Sequence, residues 1–305
     1  MSSTREFALV THSGRNDSIE LARGIVTRLT AAGVCVSVPD EELDMFPDGA
    51  VRPLPVPMDD PDVPATPDDH RPEVVIVLGG DGTFLRAARY ARPYGAAMTG
   101  VNLGHVGFLA ETEPEMIDTV VDRLLAGAYS VQERMTLDID VFDPARPHAK
   151  QRTWALNEAS LERTQRERIL EVAIGVDGHP VTSFGCDGVL CSTPTGSTAY
   201  AFSAGGPVMW PQVEAMLIVP NAAHALFARP LVVAPSSVVS VDVADRGQDA
   251  LLAADGRRVL DVPAGHRVVV RAGRQPIRIA RLTDADFAGR LVAKFHLPTT
   301  GFRDS

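Results

Sequence analysis

Five consecutive apolar residues, Val74-Val75-Ile76-Val77-Leu78, constrain the fold of this chain more than any other feature. A strand with one solvated face alternates apolar and polar residues, whereas a continuous apolar run needs cover on both faces. The run therefore predicts a central strand of a parallel sheet. The start of the chain agrees, because Phe7 to Val10 is typical of a strand, Ile19 to Leu29 has the spacing of an amphipathic helix, and Val34 to Val38 is typical of a second strand.

The periodicity changes near residue 131, and we predict a domain boundary there. Residues 1–130 carry the pattern of a parallel, doubly wound α/β domain. Residues 131–283 carry short alternating strands with hairpin signals at Asp177-Gly178 and Asp255-Gly256, which predict a β-rich domain. Within the first domain, residues 44–72 contain eight prolines and are predicted to form a mobile insertion.

Composition and charge exclude several classes of protein. The chain has 305 residues with 29 Lys plus Arg against 39 Asp plus Glu, and this net charge of -10 disfavours nucleic acid as a partner. No apolar run is long enough to span a membrane and no secretory leader opens the chain, so no membrane partner is expected. The three cysteines lack the paired spacing of zinc sites, which indicates reduced thiols and a cytoplasmic protein.

The most informative local motif, Gly79-Gly80-Asp81-Gly82-Thr83, follows the apolar run and precedes a helix predicted from about Phe84. Glycines let a ligand approach the backbone, and N–H groups at a strand-to-helix junction attract anions, so the loop predicts a phosphate site. A carboxylate there repels phosphate unless it meets a metal ion or accepts a proton from a reacting hydroxyl. Asp81 therefore indicates phosphoryl transfer, although an aspartate that only caps the helix fits the same five residues.

Three further segments offer groups for a nucleotide. The run from Asp187 to Pro207 is dense in hydroxyls and small residues, which allow a planar base or a ribose to approach the backbone. Asn157-Glu158 follows a strand-like segment, and Asn102 to Leu109 is a loop punctuated by glycines. Each segment also fits a structure without a ligand, in which turns satisfy their own backbone or face solvent.

Taken in order, four blocks resemble the NAD kinase family: Gly79 to Thr83, Asn102 to Leu109, Ala155 to Glu158, and Asp187 to Pro207. That family transfers a phosphoryl group to the 2'-hydroxyl of the adenosine ribose of NAD. The first block is shared with diacylglycerol kinases, sphingosine kinases and phosphofructokinases, whereas Thr195 to Tyr200 is much more specific. The resemblance also implies that a C-terminal segment, residues 284–305, returns to the first domain.

The resemblance implies a role for each candidate site residue. Asp81 would accept the proton of the 2'-hydroxyl, with Gly82 and Arg86 lining the same pocket beside the phosphates. The phosphate loop would consist of Gly79, Gly80, Gly82 and Thr83. Asn157 and Glu158 would hold the nucleoside. The other implied contacts with the dinucleotide are Arg168, Asp187, Thr198, Ala199, Tyr200 and Ser203.

The resemblance also implies reactants and assembly. The phosphoryl donor would be ATP or inorganic polyphosphate, a divalent cation such as Mg²⁺ would be required, and the chain would form a homo-oligomer, a dimer or a tetramer. The sequence assigns no metal ligands. Two other functions stay open: a lipid kinase of the diacylglycerol type, which the negative charge disfavours, and a non-catalytic sensor that binds NAD or NADP without turnover.

Overall fold

The computed structural model describes residues 5–12, 16–55, 71–104, 107–110, 112–146, 151–226, 228–282 and 287–299. These residues form two compact units. Of the described residues, the first unit contains those up to Glu133 and those from Ile277 onward, and the second contains those from Arg134 to Pro276. No helix in the described ranges is long and apolar enough to cross a membrane.

A seven-stranded sheet forms the centre of the first unit. Its strands are β1 (Glu6–Thr11), β2 (Cys35–Pro39), β3 (Arg52–Leu54), β4 (Val74–Leu78), β5 (Ala97–Val101), β6 (Ser130–Arg134) and β19 (Ile277–Arg281). They lie in the order β3-β2-β1-β4-β5-β19-β6, and every pair from β3 to β19 is parallel. The direction of winding reverses between β1 and β4, which confirms the predicted doubly wound sheet. Sheets of this kind bind ligands at the carboxyl ends of their strands, beside the reversal.

Helices cover the sheet on both faces. They are α1 (Asn16–Ala31), α2 (Asp81–Ala91) and α3 (Ile117–Leu125). A further helix, α5 (Phe287–Phe295), follows β19 in the chain. Helices α1 and α3 share one core with Phe7 and Ile76. The neighbours Val75 and Val77 point to the opposite face and are also fully buried, and α2 packs against β1, β4 and β5. The apolar run is thus the central strand that the sequence predicts.

The segment predicted as a mobile insertion, residues 44–72, is partly an element of the sheet. Arg52–Leu54 forms the edge strand β3, which pairs with Ser37 to Pro39, and the side chains of Phe46 and Leu54 are buried. The prediction was wrong for this part because the many prolines obscured two core residues. Pro53 is compatible with β3, since an edge strand leaves one row of its backbone groups unpaired. Residues 56–70 lie outside the described residues.

Two boundaries also differ from the predicted ones. Helix α2 begins at Asp81 rather than near Phe84, so Gly82 and Thr83 lie in its first turn. The return to the first unit begins at Ile277 rather than at residue 284, because β19 pairs in parallel with β5. The alternating sequence of β19 indicates a strand with one buried face, but such a pattern does not identify the sheet to which the strand belongs.

The second unit is a sandwich of two six-stranded antiparallel sheets. One has the order β11-β10-β15-β18-β7-β8 and the other β14-β13-β12-β9-β16-β17. The strands are β7 (Leu137–Phe142), β8 (Gln151–Ala155), β9 (Glu158–Arg163), β10 (Leu170–Val176), β11 (His179–Cys186), β12 (Gly188–Ser192), β13 (Met216–Asn221), β14 (Leu231–Val233), β15 (Val239–Val243), β16 (Ala250–Ala254), β17 (Arg258–Val262) and β18 (Arg267–Ala272). A short helix, α4 (Tyr200–Ser203), follows β12. The β-rich prediction for this part of the chain is confirmed.

The two sheets share one hydrophobic core, to which Ile139 and Val241 contribute from one sheet and Leu161 and Ile218 from the other. Both predicted hairpins are present. Asp177-Gly178 joins β10 to β11 and Asp255-Gly256 joins β16 to β17, and all four residues have positive φ. Two consecutive left-handed residues are the geometry of the tight turn that Asp-Gly pairs favour.

Candidate functional site

The predicted phosphate loop follows β4 at the carboxyl edge of the first sheet. Gly79 donates its N–H to the carbonyl of Val101 and has a φ of +154°. A Cβ at this position would lie 2.5 Å from Thr83 Oγ1, so only glycine fits. A Cβ at Gly80 would instead meet nothing within 4 Å. The backbone at the start of α2 is therefore open to an approaching anion.

The carboxylate of Asp81 is held by the loop that follows β5. Its Oδ2 accepts the N–H of Phe108 at 3.1 Å and its Oδ1 accepts the N–H of Leu109 at 2.9 Å. The two loops meet because Leu78 and Val101, the last residues of β4 and β5, lie side by side. The first two sequence blocks thus come together around Asp81, whose oxygens keep lone pairs for a further donor. Residues 105 and 106 of the second block lie outside the described residues.

The helix-capping alternative for Asp81 is wrong. Gly80 occupies the N-cap position of α2, and no side chain in the described ranges caps this helix. Gly107 shows how closely the Asp81 carboxylate is packed, since a Cβ there would lie 2.4 Å from Asp81 Oδ1. The carboxylate is oriented by backbone groups of another loop rather than by its own helix.

Arg86, predicted beside the phosphates, is a residue of α2, and its side chain reaches the end of β1. Its Nη2 donates to the carbonyl of Thr11 and to the carboxylate of Glu42, and its Nη1 lies 3.1 Å from Glu41 Oε1. Glu42 is fully buried, and burial raises the pKa of its carboxyl while the charge of Arg86 lowers it. Three of the five N–H donors of Arg86 are used on these described residues, which leaves two for a ligand at the sheet edge.

Asn157 and Glu158 lie where β8 passes to β9 in the second unit. Both side chains are buried, and each carries an oxygen with no hydrogen-bond partner among the described residues, Asn157 Oδ1 and Glu158 Oε2. Leaving a buried polar atom unsatisfied costs about 1–3 kcal/mol. Two such atoms on adjacent residues are typical of a site that a ligand completes.

Asp255, which sequence reasoning treated only as a hairpin turn, fixes this corner. Its carboxylate accepts the N–H of Leu156 at 3.0 Å and that of Asn157 at 2.7 Å, and its charge is paired with Arg258 Nη2 at 2.7 Å. The Arg258 guanidinium in turn lies 4.5 Å from the centre of the Trp154 ring. An aspartate in an Asp-Gly turn is the available signal, but a local pattern does not indicate the partners of its carboxylate.

Glu158 is electrostatically unusual. The pKa of its carboxyl is raised to about 8, chiefly by burial and also by the neighbouring charge of Asp255, while a backbone hydrogen bond from Tyr200 acts in the opposite direction. Glu158 therefore holds a proton at neutral pH. In that form it can donate one hydrogen bond to a ligand and still accept others.

The hydroxyl-rich segment that begins at the end of β12 forms the self-satisfied turn that was one of its two predicted interpretations, and its contact with a nucleotide stays a prediction. Ser192, Thr193 and Ser197 donate their hydroxyls to backbone carbonyls, as a turn that satisfies itself would do. Gly196 packs against the corner, because a Cβ there would lie 2.1 Å from the carbonyl oxygen of Asn157. The segment is thus built against Asn157.

The other predicted residues of this segment are more accessible. Thr198, Ala199 and Tyr200 are half-buried and Ser203 is exposed. The Tyr200 hydroxyl accepts a hydrogen bond from Asn221 at 3.3 Å. Burial raises the pKa of Tyr200, and the charges of Glu162, Asp187 and Glu158 raise it further, so the Tyr200 side chain lies among these carboxylates.

Asp187 and Arg168 lie away from the Asn157 corner. Strands β9 and β12 are antiparallel with Ser192 opposite Glu158, so Asp187 lies beyond the other end of β12, about 17 Å along the sheet by strand rise. There it pairs with Arg163 at 3.2 Å. Arg168 is in an exposed loop beyond β9, where its carbonyl accepts a hydrogen bond from Gln248. The structure brings Tyr200 close to both Glu158 and Asp187, whereas Arg168 lies apart from them.

The described part of the first unit offers few donor groups for a divalent cation. No three His, Cys, Asp or Glu side chains within the described ranges gather into a metal-binding group. Asp81 is a hard oxygen donor, and Mg²⁺ in kinase sites is bound by one or two carboxylates together with phosphates and waters. The residues therefore fit a cation that arrives with the nucleotide, with Asp81 as the protein group closest in kind to its ligands.

Comparison with known proteins gives matches along almost the whole chain. Residues 7–129 match the model of the ATP-NAD kinase N-terminal domain, and residues 156–282 match that of the ATP-NAD kinase C-terminal domain. An NAD kinase of Thermobifida fusca is 49% identical over 98% of this chain and 91% of its own length. NAD kinase 2 of Streptomyces avermitilis is 50% identical over 98% of this chain and 97% of its own length.

Solved structures with the same fold include an NADH kinase and an NAD kinase. Yeast NADH kinase complexed with NADH has a TM-score of 0.82 at 23% identity and covers 98% of this chain and 89% of its own. An NAD kinase from Archaeoglobus fulgidus in complex with ATP has a TM-score of 0.68 at 24% identity, over 95% of this chain and 99% of its own. Since both domain models and near-full-length relatives agree, the chain belongs to the NAD kinase family and is a phosphotransferase.

Proposed function

We propose that this chain transfers the γ-phosphoryl group of ATP to the 2'-hydroxyl of the adenosine ribose of NAD, with Asp81 as the proton acceptor. Family membership supports the reaction. The observation that carries the mechanism is the Asp81 carboxylate, which stands at a glycine loop open to an anion and is oriented by the N–H groups of Phe108 and Leu109. Such orientation is what a general base needs.

In the proposed step, the ribose 2'-oxygen displaces ADP from the γ-phosphorus. The ribose 2'-oxygen forms a bond to the γ-phosphorus, the bond from the γ-phosphorus to the β,γ-bridging oxygen breaks, and its electron pair leaves on ADP. Asp81 takes the proton of the 2'-hydroxyl and later returns it to water. The products are NADP, ADP and one proton.

The other residues would bind and orient the reactants. The loop of Gly79, Gly80, Gly82 and Thr83 would lie against the phosphate oxygens. The N–H groups of Gly79 and Thr83 are already bound by the carbonyls of Val101 and Gly80, so the open backbone at Gly80 would make the contact. Arg86 would contribute its two unused donors. Asn157 Oδ1 and Glu158 Oε2 would find their missing partners on the nucleoside. Weaker contacts are proposed for Arg168, Asp187, Thr198, Ala199, Tyr200 and Ser203. The divalent cation, proposed to be Mg²⁺, neutralises phosphate charge when it is bound.

Donor, compartment and assembly complete the proposal. The Archaeoglobus structure in complex with ATP supports ATP as the donor, and inorganic polyphosphate is the second donor that we propose. Cys35, Cys186 and Cys191 are free thiols, which is consistent with the cytoplasm. The resemblance to the family supports a homo-oligomer, a dimer or a tetramer, which sedimentation velocity would measure.

The test is NADP formation from NAD and Mg²⁺, with ATP or polyphosphate supplied separately. Formation with ATP is expected, and the same assay without Mg²⁺ should show little product. Calorimetric NAD binding without NADP formation under any donor and cation would favour a non-catalytic sensor. Co-sedimentation with liposomes and phosphorylation of diacylglycerol would favour a lipid kinase.

A further inference from the structure

The C-terminal helix α5 packs on Phe108, the residue whose N–H binds Asp81. The ring centre of Phe108 lies 5.7 Å from that of Phe287 and 5.9 Å from that of Phe295, with the rings tilted by about 40°. These are favourable separations for aromatic pairs. The Arg290 guanidinium also donates to the carbonyl of Phe108 at 3.4 Å. One helix thus holds the ring and the carbonyl of Phe108, while Asp81 holds its N–H.

The backbone between α5 and Asp81 has little freedom. Leu109, whose N–H is the second donor to Asp81, is buried, and Gly107 has no space for a side chain beside the carboxylate. A shift of Phe108 would therefore move at least one of the two N–H groups that orient Asp81. These donors lie at 2.9 Å and 3.1 Å, so a displacement of about 0.5 Å takes the longer hydrogen bond beyond the usual distance.

Helix α5 itself is attached through partly exposed contacts. None of its residues is fully buried, in contrast to α2 and α3. Removing the two phenylalanine rings would therefore leave the core of the first unit intact. The contacts of α5 with Phe108 can be tested without unfolding the protein.

We propose that Phe287 and Phe295 are positioning residues, which fix Phe108 and through it orient the Asp81 carboxylate. The inference rests on the proposed role of Asp81 as proton acceptor. A misplaced base slows the chemical step, whereas NAD and ATP are bound by other groups. Loss of the two rings is therefore expected to act on kcat and to leave KM almost unchanged.

The experiment compares the full-length chain with Phe287→Ala/Phe295→Ala by hydrogen exchange of the segment 107–110 and by steady-state kinetics. We expect exchange to accelerate by about tenfold or more. We expect kcat to fall by about ten- to a hundredfold. Asp81→Ala provides the reference for exchange, since it removes the acceptor of both N–H groups. Ala293→Ser, at an exposed position of α5, is the matched control and should behave as the unchanged chain.

Rescue separates positioning from general damage. Phe287→Tyr/Phe295→Tyr keeps both rings and should restore slow exchange and kcat. Unchanged exchange in the double alanine variant would overturn the inference. An increase in kcat would also overturn it, because it would show that α5 slows turnover in the unchanged chain. The exchange result needs no turnover, so absence of NADP formation by the unchanged chain would refute the proposed function and leave this test intact.

Discussion

Asp81 in the first unit and Glu158 in the second are carboxylic acids placed in opposite surroundings. Asp81 is partly exposed and each of its oxygens accepts a backbone N–H. Glu158 is buried, leaves Oε2 without a partner among the described residues, and stands near a second carboxylate, Asp255. Backbone donors fix the orientation of the first group, while burial beside a like charge fixes the protonation of the second. Under the proposed function, the first carboxylic acid accepts a proton and the second holds one, so the same chemical group serves opposite tasks in the two units.

The largest expected effect is on turnover, from Asp81→Asn. The amide cannot accept the proton of the 2'-hydroxyl, and its NH₂ group faces backbone donors. We expect kcat to fall by about 10²- to 10⁴-fold with little change in thermal stability. NADP formation and thermal unfolding provide the measurements, with Glu133→Gln as a control that removes an exposed carboxylate. Full activity of Asp81→Asn would show that Asp81 does not accept the proton, and the two acids would then not differ in this role.

The next effect is on stability, from Asp255→Ala. This change leaves Arg258 buried without its charge partner and two backbone N–H groups without an acceptor. We expect the free energy of unfolding to fall by about 3–5 kcal/mol, measured by urea denaturation. Asp255→Asn keeps an acceptor and tolerates the positive φ, so it should cost clearly less. Equal costs for the two variants would show that the carboxylate does not organise the Asn157 corner.

A pH series tests the proton on Glu158. The pKa of Glu158 is raised from 4.5 to about 8 in the folded chain, so the folded state keeps a proton that the unfolded state loses. Stability should therefore fall as pH rises from about 5 to 8, by at most about 1.4 kcal/mol per pH unit. Glutamine has no proton to lose, so Glu158→Gln should not show this decrease in stability. The thermal midpoint of the variant should therefore rise relative to that of the unchanged chain across this pH range. If the thermal midpoints of Glu158→Gln and of the unchanged chain change in parallel with pH, Glu158 is not protonated. Glu171→Gln, at an exposed position, is the control and should run parallel to the unchanged chain.

The smallest effect is expected at Arg168. Its side chain is exposed in a loop beyond β9, so Arg168→Ala should leave thermal stability unchanged. A solvent-exposed contact with a charged ligand is worth about 1 kcal/mol or less, so KM for NAD should rise by no more than about fivefold. A larger rise in KM would show that Arg168 belongs with Asn157 and Glu158 rather than outside their corner.

Local patterns in the sequence predicted the elements well, because they depend on neighbouring residues. The buried run Val74–Leu78 and the turn at Asp177-Gly178 report their own surroundings through hydrophobicity and allowed φ. The paired contacts that build the site were not predictable in this way. Glu42 with Arg86, Asp255 with Asn157, and Arg290 with Phe108 are separated by 44, 98 and 182 residues. Such pairs depend on strand order, which periodicity does not encode.

The position of β19 also decides when the sheet that carries Asp81 can be completed during synthesis. In the strand order β19 lies between β5 and β6, yet it is translated after every strand of the second unit. A nascent chain that has not yet reached Ile277 has a second unit that is continuous and complete, while β6 lacks the strand beside it. Domains generally fold as units during translation. All strands of the second unit are therefore synthesised before the first unit has its full set, and the sheet that carries Asp81 closes only when the returning strand is available.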